Sequence, residues 1–222
     1  MIRAIFFDMD GTILDTLSDI SNSVNYALSK FGYPLQAEKD IRLMLGSGAK
    51  NLIKQAAPAH LSDEQIIQVL STYQSFYDHN CNVNTKPYLN IIDLLKILKR
   101  QGYLLAVVSN KYQHLVEKLN EETFESLFDL AIGEREGVPI KPAPDMLIYG
   151  FEKFKITKEE VIYIGDSEVD VKTAKNTGVA SIAVTWGFRD RSVLKTACPD
   201  YIADTTDEII AIIKRINDDK IR

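Results

Sequence analysis

Ile2-Arg3-Ala4-Ile5-Phe6-Phe7-Asp8-Met9-Asp10-Gly11-Thr12 is the stretch on which the architecture turns. A short, mostly apolar run ends abruptly in two carboxylates and a glycine. The run Ile2 to Phe7 has the length and the aromatic and aliphatic content of a strand buried on both faces. Asp10-Gly11 is turn chemistry, with glycine free to take a positive φ. A turn does not account for Asp8, a second carboxylate set at the end of an apolar strand. Two close carboxylates repel unless one takes a proton or a cation lies between them.

Working outward, similar apolar runs recur at Leu104 to Val108, Leu130 to Ile132, Val161 to Ile164 and Ser181 to Val184. Between them lie helical patterns at Ile91 to Arg100, Tyr112 to Phe124, Pro144 to Phe154 and Asp170 to Asn176, the last closed by Gly178 as a C-cap. Alternating strand and helix predicts an α/β fold, a doubly wound, Rossmann-like parallel sheet.

The first interval breaks this rhythm. Nearly 100 residues separate the first strand from the second, where one crossover helix would do. Leu17 to Phe31, Glu38 to Leu45, Lys50 to Ala57 and Glu64 to His79 all read as helices. Tyr73, Phe76 and Tyr77 have i, i+3, i+4 spacing and read as core. The expected division is therefore a core of residues 1–15 and 86–222 with an inserted all-α subdomain over residues 16–85. Asp15 to Ser18 leads out, and Asn80 to Tyr88 leads back.

Composition narrows the role. The chain has 222 residues, 45% hydrophobic and 26% charged, with a net charge of −5. Disorder is excluded, and nothing favours nucleic acid or an anionic membrane as partner. No apolar run reaches the roughly 18 residues of a membrane span. Two cysteines make no disulfide framework, and the N-terminus meets Asp8 before a signal-peptide core could develop, so a cytoplasmic protein is expected.

Three more segments carry chemistry. Ile164-Gly165-Asp166-Ser167-Glu168-Val169-Asp170 again runs an apolar strand into an acidic cluster. Taken alone, it could equally be an acid-rich helix N-terminus. Ser109-Asn110-Lys111 follows the strand Leu104 to Val108, and Lys141 lies in the loop after Leu130 to Gly133. Each is weak singly. Together, all four segments fall beyond the carboxyl ends of strands, where doubly wound sheets bind ligands. The carboxylates would hold a hard cation such as Mg²⁺. Lys141, the Ser109 hydroxyl and the amides near Gly11 and Asn110 would hold the oxygens of a phosphoryl group.

The order D-x-D-G-T, Ser, Lys, G-D-x-x-x-D, with a helical insert after the first motif, resembles the haloacid dehalogenase superfamily, and within it phosphatases with a helical (C1-type) cap. Gly46-Ser47-Gly48-Ala49-Lys50, Val108-Ser109-Asn110-Lys111, Lys141-Pro142-Ala143-Pro144-Asp145 and Val184-Thr185-Trp186-Gly187 are similar to the phosphoglycolate phosphatase branch. The resemblance implies Mg²⁺-dependent hydrolysis of a small phosphorylated metabolite, foremost 2-phosphoglycolate. Asp8 would be the nucleophile and a metal ligand. Asp10 would be general acid and base, its carbonyl also on the metal. Gly11, Thr12, Ser109, Asn110 and Lys141 would bind phosphate. Asp166 would complete the metal site, and Asp170 would ligate or hold Lys141. In the cap, Arg42, Ser47 and Lys50 are the candidate substrate contacts.

Other readings of the same family are a pyrophosphatase, a sugar-phosphate phosphatase or a phosphomutase. The cap lacks the His expected soon after Asp15-Thr16 in such mutases, which favours hydrolysis. A phosphoacceptor signalling module shares the acidic edge but lacks both Asp10 and the insert. Tyr88 stands where family members commonly have glycine at the second tether, so the backbone there is expected to take a different course.

Overall fold

The computed structural model describes residues 1–219; Lys220–Arg222, assigned above to the core, lie outside the described residues. In chain order the elements are β1 (Ala4–Phe7), β2 (Leu14–Asp15), α1 (Leu17–Lys30), α2 (Glu38–Met44), α3 (Ala49–Ala56), α4 (Asp63–Asn80) and β3 (Lys86–Pro87). They continue with α5 (Ile91–Arg100), β4 (Leu104–Tyr112), α6 (Gln113–Phe124), β5 (Leu130–Glu134), α7 (Asp145–Phe154), β6 (Val161–Gly165) and α8 (Glu168–Thr177). The last are β7 (Ala180–Val184), α9 (Arg191–Ala197), β8 (Tyr201–Ala203) and α10 (Thr206–Asp219). Contacts divide the chain into two compact units, Met1–Leu14 with Pro87–Arg222, and Asp15–Lys86.

The first unit is built on a six-stranded sheet ordered β5-β4-β1-β6-β7-β8. Every ladder is parallel, and Phe7 sits opposite Val107 on one side and Ile164 on the other. Because side chains alternate along a strand, each strand feeds two cores. Ile5, Phe7, Leu105, Val107, Ile162 and Ile164 pack with Leu94 of α5, Leu119 of α6 and Ile213 of α10. Ala4, Phe6, Ala106, Val108 and Tyr163 pack on the opposite face with Leu147 of α7 and Ala174 of α8. Phe6 and Phe7 are fully buried, each contributing about 2–3 kcal/mol from burial. This is the doubly wound α/β sheet expected from the alternating pattern. The chain walks outward from β1 to β5, then returns to β6 on the other side of β1. The carboxyl ends of β1, β4 and β6 therefore adjoin at the point where strand order reverses.

One local outcome here differs from the sequence reading, while the tether follows it. β4 runs on through Ser109-Asn110-Lys111 to Tyr112, with its register to β5 shifting between Val108 and Tyr112. Those three residues thus extend the strand. At the second tether, Tyr88 keeps an ordinary backbone and donates its N–H to Ile13 O, while the positive φ falls at Asn90 (62°). Asparagine tolerates that region better than most side chains.

The second unit is four helices, α1 to α4. Its core is Ile20, Val24, Leu28, Ile41, Ile53, Val69, Tyr73 and Tyr77, all buried. Phe76 is half-buried and stacks on Tyr26 at 3.9 Å. α4 starts with a capping box in which Gln65 N–H donates to Ser62 Oγ and Ser62 N–H donates to the Gln65 side chain. The buried Asp19 carboxylate near the start of α1 accepts from Val83 N, from Asn84 N and Nδ2, and from Thr85 N and Oγ1, all at 2.8–3.0 Å. One side chain thereby ties the first helix to the returning tether.

Candidate active site

β1 stops at Phe7 because Asp8 and the turn behind it satisfy the backbone differently. Asp8 N–H donates to Ile164 O, still in the manner of the sheet. Met9 O then accepts from Thr12, Ile13 and Leu14 N, and Gly11 N–H reaches Leu14 O. Gly11 takes φ of 87°, and a Cβ there would run into the Asp166 carboxylate and the Phe188 ring. Glycine is required on both counts.

The turn places Asp8 beside the end of β6. Carboxylate oxygens of Asp8, Asp166 and Asp170 all lie within 4.8 Å of one another, and all three residues are buried. Lys141 Nζ enters this cluster, 2.7 Å from Asp8 Oδ1 and 2.8 Å from Asp170 Oδ1. It also donates to Tyr163 OH at 2.9 Å. Asn110 fixes the Lys141 backbone reciprocally, accepting from Lys141 N at 2.8 Å and donating to Lys141 O at 2.9 Å. The end of β4 is thus stitched to the loop that carries the lysine.

Asp170 sits one turn into α8, where its Oδ2 accepts from Ser167 N at 3.1 Å and Ser167 Oγ at 2.6 Å. Asp166 Oδ1 accepts from Thr12 Oγ1 at 3.1 Å, and Oδ2 accepts from Phe188 N at 2.7 Å. Phe188 comes from the loop after β7, whose Gly187 packs so closely that a Cβ would strike Gly11 O and Asp166. Ser109 is buried, its Oγ accepting from Lys111 N at 3.3 Å.

Electrostatics explains what such a cluster needs. Three carboxylates face one ammonium, a surplus of two negative charges in a buried site. Burial pushes the Asp8 carboxyl up to about 7, and the nearby Asp170 and Asp10 charges raise it further against the pull of Lys141. Asp166 is likewise raised well above the ordinary carboxylate range by burial, then by Asp170 and Asp8, despite the Phe188 and Thr12 donors. For Lys141, burial alone would lower the pKa, but Asp170 and Asp8 outweigh it and hold the ammonium charged. Although Asp8 Oδ1 is in ionic contact with Lys141, among the described residues no donor is aligned on it at hydrogen-bonding angle. An all-oxygen donor set, two surplus charges and an oxygen without an aligned proton fit a hard divalent cation.

Asp10 stands apart from this trio. Its carboxylate, one-fifth exposed, accepts from Lys111 Nζ at 2.8 and 3.0 Å. Asp8, Asp10, Gly11, Thr12, Ser109, Asn110, Lys141, Asp166 and Asp170 all belong to the first unit, around the ends of β1, β4 and β6. Arg42 on α2, Ser47 in the following turn and Lys50 in the first turn of α3 belong to the other unit, with Arg42 and Ser47 half-buried and Lys50 exposed.

Sequence reasoning assigned no role to Lys111, Tyr163 or Phe188. Lys111 gave no signal, because a lysine after Ser109 and Asn110 reads locally as loop and only the fold shows it continuing β4. Tyr163 reads as one more core residue within Val161 to Ile164, and Phe188 contributes only a backbone amide, which no sequence pattern reveals.

A family model of haloacid dehalogenase-like hydrolases matches residues 5–184. The chain is 32% identical over 220 residues to a phosphoglycolate phosphatase of Mannheimia succiniciproducens, spanning 95% of this chain and 98% of that one. It is 34% identical over 221 residues to a phosphoglycolate phosphatase of Pasteurella multocida, spanning 96% and 98%. Among solved structures, a candidate phosphoglycolate phosphatase from Lactobacillus delbrueckii subsp. bulgaricus superposes with a TM-score of 0.89 at 34% identity, covering 93% of this chain and 96% of that one. A haloacid dehalogenase-like hydrolase from Streptococcus pneumoniae gives 0.87 at 30% identity, covering 96% and 98%. With its D-x-D-G-T turn, buried lysine and acidic α8 set on one sheet edge, the chain belongs to the haloacid dehalogenase-like hydrolases and is a phosphatase.

Proposed function

We propose that this phosphatase hydrolyses a small phosphomonoester in two displacements through an aspartyl-phosphate, with 2-phosphoglycolate as its substrate. The observation that carries the mechanism is the buried Lys141 ammonium held between Asp8 and Asp170, with Asp166 alongside. In the first displacement an Asp8 oxygen forms a bond to phosphorus as the bond to the leaving alkoxide breaks, and a proton on Asp10 passes to that alkoxide. In the second, Asp10, now a carboxylate, takes a proton from water as the water oxygen attacks phosphorus. Inorganic phosphate leaves and both aspartates are restored. Splitting the reaction this way lets one carboxyl group serve both steps.

Lys141, Ser109 and the amides of Gly11, Thr12 and Asn110 would bind the non-bridging oxygens, since phosphoryl transfer is catalysed chiefly by positioning and charge stabilisation. Asp8, the Asp10 carbonyl and Asp166 would hold Mg²⁺, which supplies charge neutralisation to the phosphoryl group when bound. Asp170 would keep Lys141 in place. Lys111, whose Nζ donates to both Asp10 carboxylate oxygens, would hold that side chain in place between the two steps. The helical unit would act as the cap that selects the substrate, with Arg42, Ser47 and Lys50 as contacts. Relatives named for phosphoglycolate and the small polar turn at Gly46-Ser47-Gly48 support the substrate reading.

The test is phosphate release from 2-phosphoglycolate, pyrophosphate, sugar phosphates, a nucleotide and an aryl phosphate, each with and without Mg²⁺. Turnover of 2-phosphoglycolate well above the rest, requiring Mg²⁺ and abolished in Asp8→Asn, is the expected result. A different leading compound overturns the substrate, and activity surviving in Asp8→Asn overturns the mechanism.

A further inference from the structure

Arg189 is a buried arginine with no place in the mechanism above. Its Nε donates to Glu168 Oε2 at 2.9 Å and its Nη2 to Glu168 Oε1 at 3.2 Å, a two-point pairing. The Arg189 side chain is only 8% exposed, whereas that of Glu168 is 45% exposed. With its carboxylate partner half-exposed, the pair contributes modestly to stability by itself. Its position in the chain is what distinguishes it.

Glu168 is two residues beyond Asp166, and Arg189 is one residue beyond Phe188, whose N–H donates to Asp166 Oδ2 at 2.7 Å. The ion pair and the hydrogen bond therefore close a small ring: Asp166, Ser167, Glu168, across to Arg189, back to Phe188, and across to Asp166. A carboxylate flanked by a rigid ring has few rotamers open to it. The partner loop is further anchored by Trp186, whose Nε1 donates to Thr12 O at 3.0 Å, while Thr12 Oγ1 donates to the other oxygen of Asp166.

We infer that the Glu168–Arg189 pair is a positioning clamp that orients Asp166 and so sets the affinity of the site for its divalent cation. This rests on the reading of Asp166 as a metal ligand. Groups that orient a ligating side chain commonly change metal affinity by about 10- to 100-fold when removed. Arginine is the apt residue, because only its fork can hold both oxygens of Glu168 and thereby resist rotation of the loop.

The test is Mg²⁺ binding to the metal-free, full-length chain, followed by calorimetry and by the emission of Trp186, its only tryptophan. The variants are Arg189→Met, Glu168→Gln, the double variant and Arg189→Lys. Each single removal is expected to weaken Mg²⁺ binding about 10-fold, the double variant no further, and Arg189→Lys less, since a single ammonium restores one contact. Activity at saturating Mg²⁺ should return toward that of the parent with KM for the phosphoester unchanged. A merely structural role would lower Tm and leave the Mg²⁺ affinity alone. Should Arg189→Met fail to fold, Glu168→Gln decides, because the glutamate is half-exposed. Unchanged Mg²⁺ affinity in Glu168→Gln, with the parent binding normally, overturns the clamp alone. Absence of Mg²⁺ binding by the parent overturns the metal reading and the clamp with it.

Discussion

Lys111 Nζ lies 2.8 and 3.0 Å from the two carboxylate oxygens of Asp10, although 101 positions separate the two residues in the chain. The lysine side chain is 4% exposed, so this ion pair is screened far less than a surface one. Replacing Lys111 by Met leaves Asp10 without its counter-charge in a site already rich in carboxylates. We expect kcat to fall about 10²-fold with the fold retained, the scale typical of perturbing a general acid or base. Steady-state kinetics on Lys111→Met, Asp10→Asn and the double variant check this. Since Lys111 acts through Asp10, the double variant should be no slower than Asp10→Asn, and an additive loss would refute the coupling.

Asp8→Asn should abolish turnover and also flatten the pH dependence of stability of the metal-free protein. The folded-state pKa of Asp8, about 7, lies above its ordinary value near 4, so between these pH values the folded chain binds the extra proton. Stability then declines as pH rises through this window. Thermal melts in chelator from pH 4.5 to 8 should show a falling Tm for the parent, and a shallower fall for Asp8→Asn.

Adding Mg²⁺ should reverse that loss at pH 8. A ligand that binds only the folded chain stabilises it by about 2.7 kcal/mol at 100 times its dissociation constant. Melts with and without Mg²⁺ measure the gain, which Asp166→Asn should largely remove along with the activity. Chelation of the parent should stop phosphate release.

Asp19 gives a prediction confined to the helical unit. Burial would raise its carboxyl, but the donors of Asn84 and Thr85 outweigh burial and hold it below the ordinary value. Its contribution is therefore full above the ordinary carboxylate pKa and disappears as pH falls through the lowered one. Asp19→Ala leaves the N–H groups of Val83, Asn84 and Thr85 without their acceptor, and about 2–4 kcal/mol of stability should be lost at pH 7. Urea unfolding of parent and variant at pH 7 and at pH 3 should show the gap narrowing in acid.

Much of this was readable along the chain. Ala4 to Phe7 and Val161 to Gly165 are buried strands because unbroken apolar runs of that length have no other economical fate. Gly178, at φ of 77°, ends α8 as its position after a helical pattern implied. The three-residue edge strand Tyr201–Ala203 left no such trace, because its pattern is too short to have a period. Nor did the continuation of β4 through Ser109, Asn110 and Lys111, since polar residues within a strand read locally as its end.

The residue types of the site, and their place at strand ends, are properties of the linear chain. Local hydropathy and turn chemistry are short-range, so D-x-D-G-T and G-D-x-x-x-D could be placed on one sheet edge before any coordinates. The pairings belong to the folded molecule. Lys141 between Asp8 and Asp170, Lys111 on Asp10, and Phe188 N on Asp166 join residues 20 to 130 or more positions apart or use a backbone amide. Such contacts exist only once β1, β4, β6 and β7 are in parallel register, because the energetics of a charge depends on which groups surround it in space and how far they exclude water.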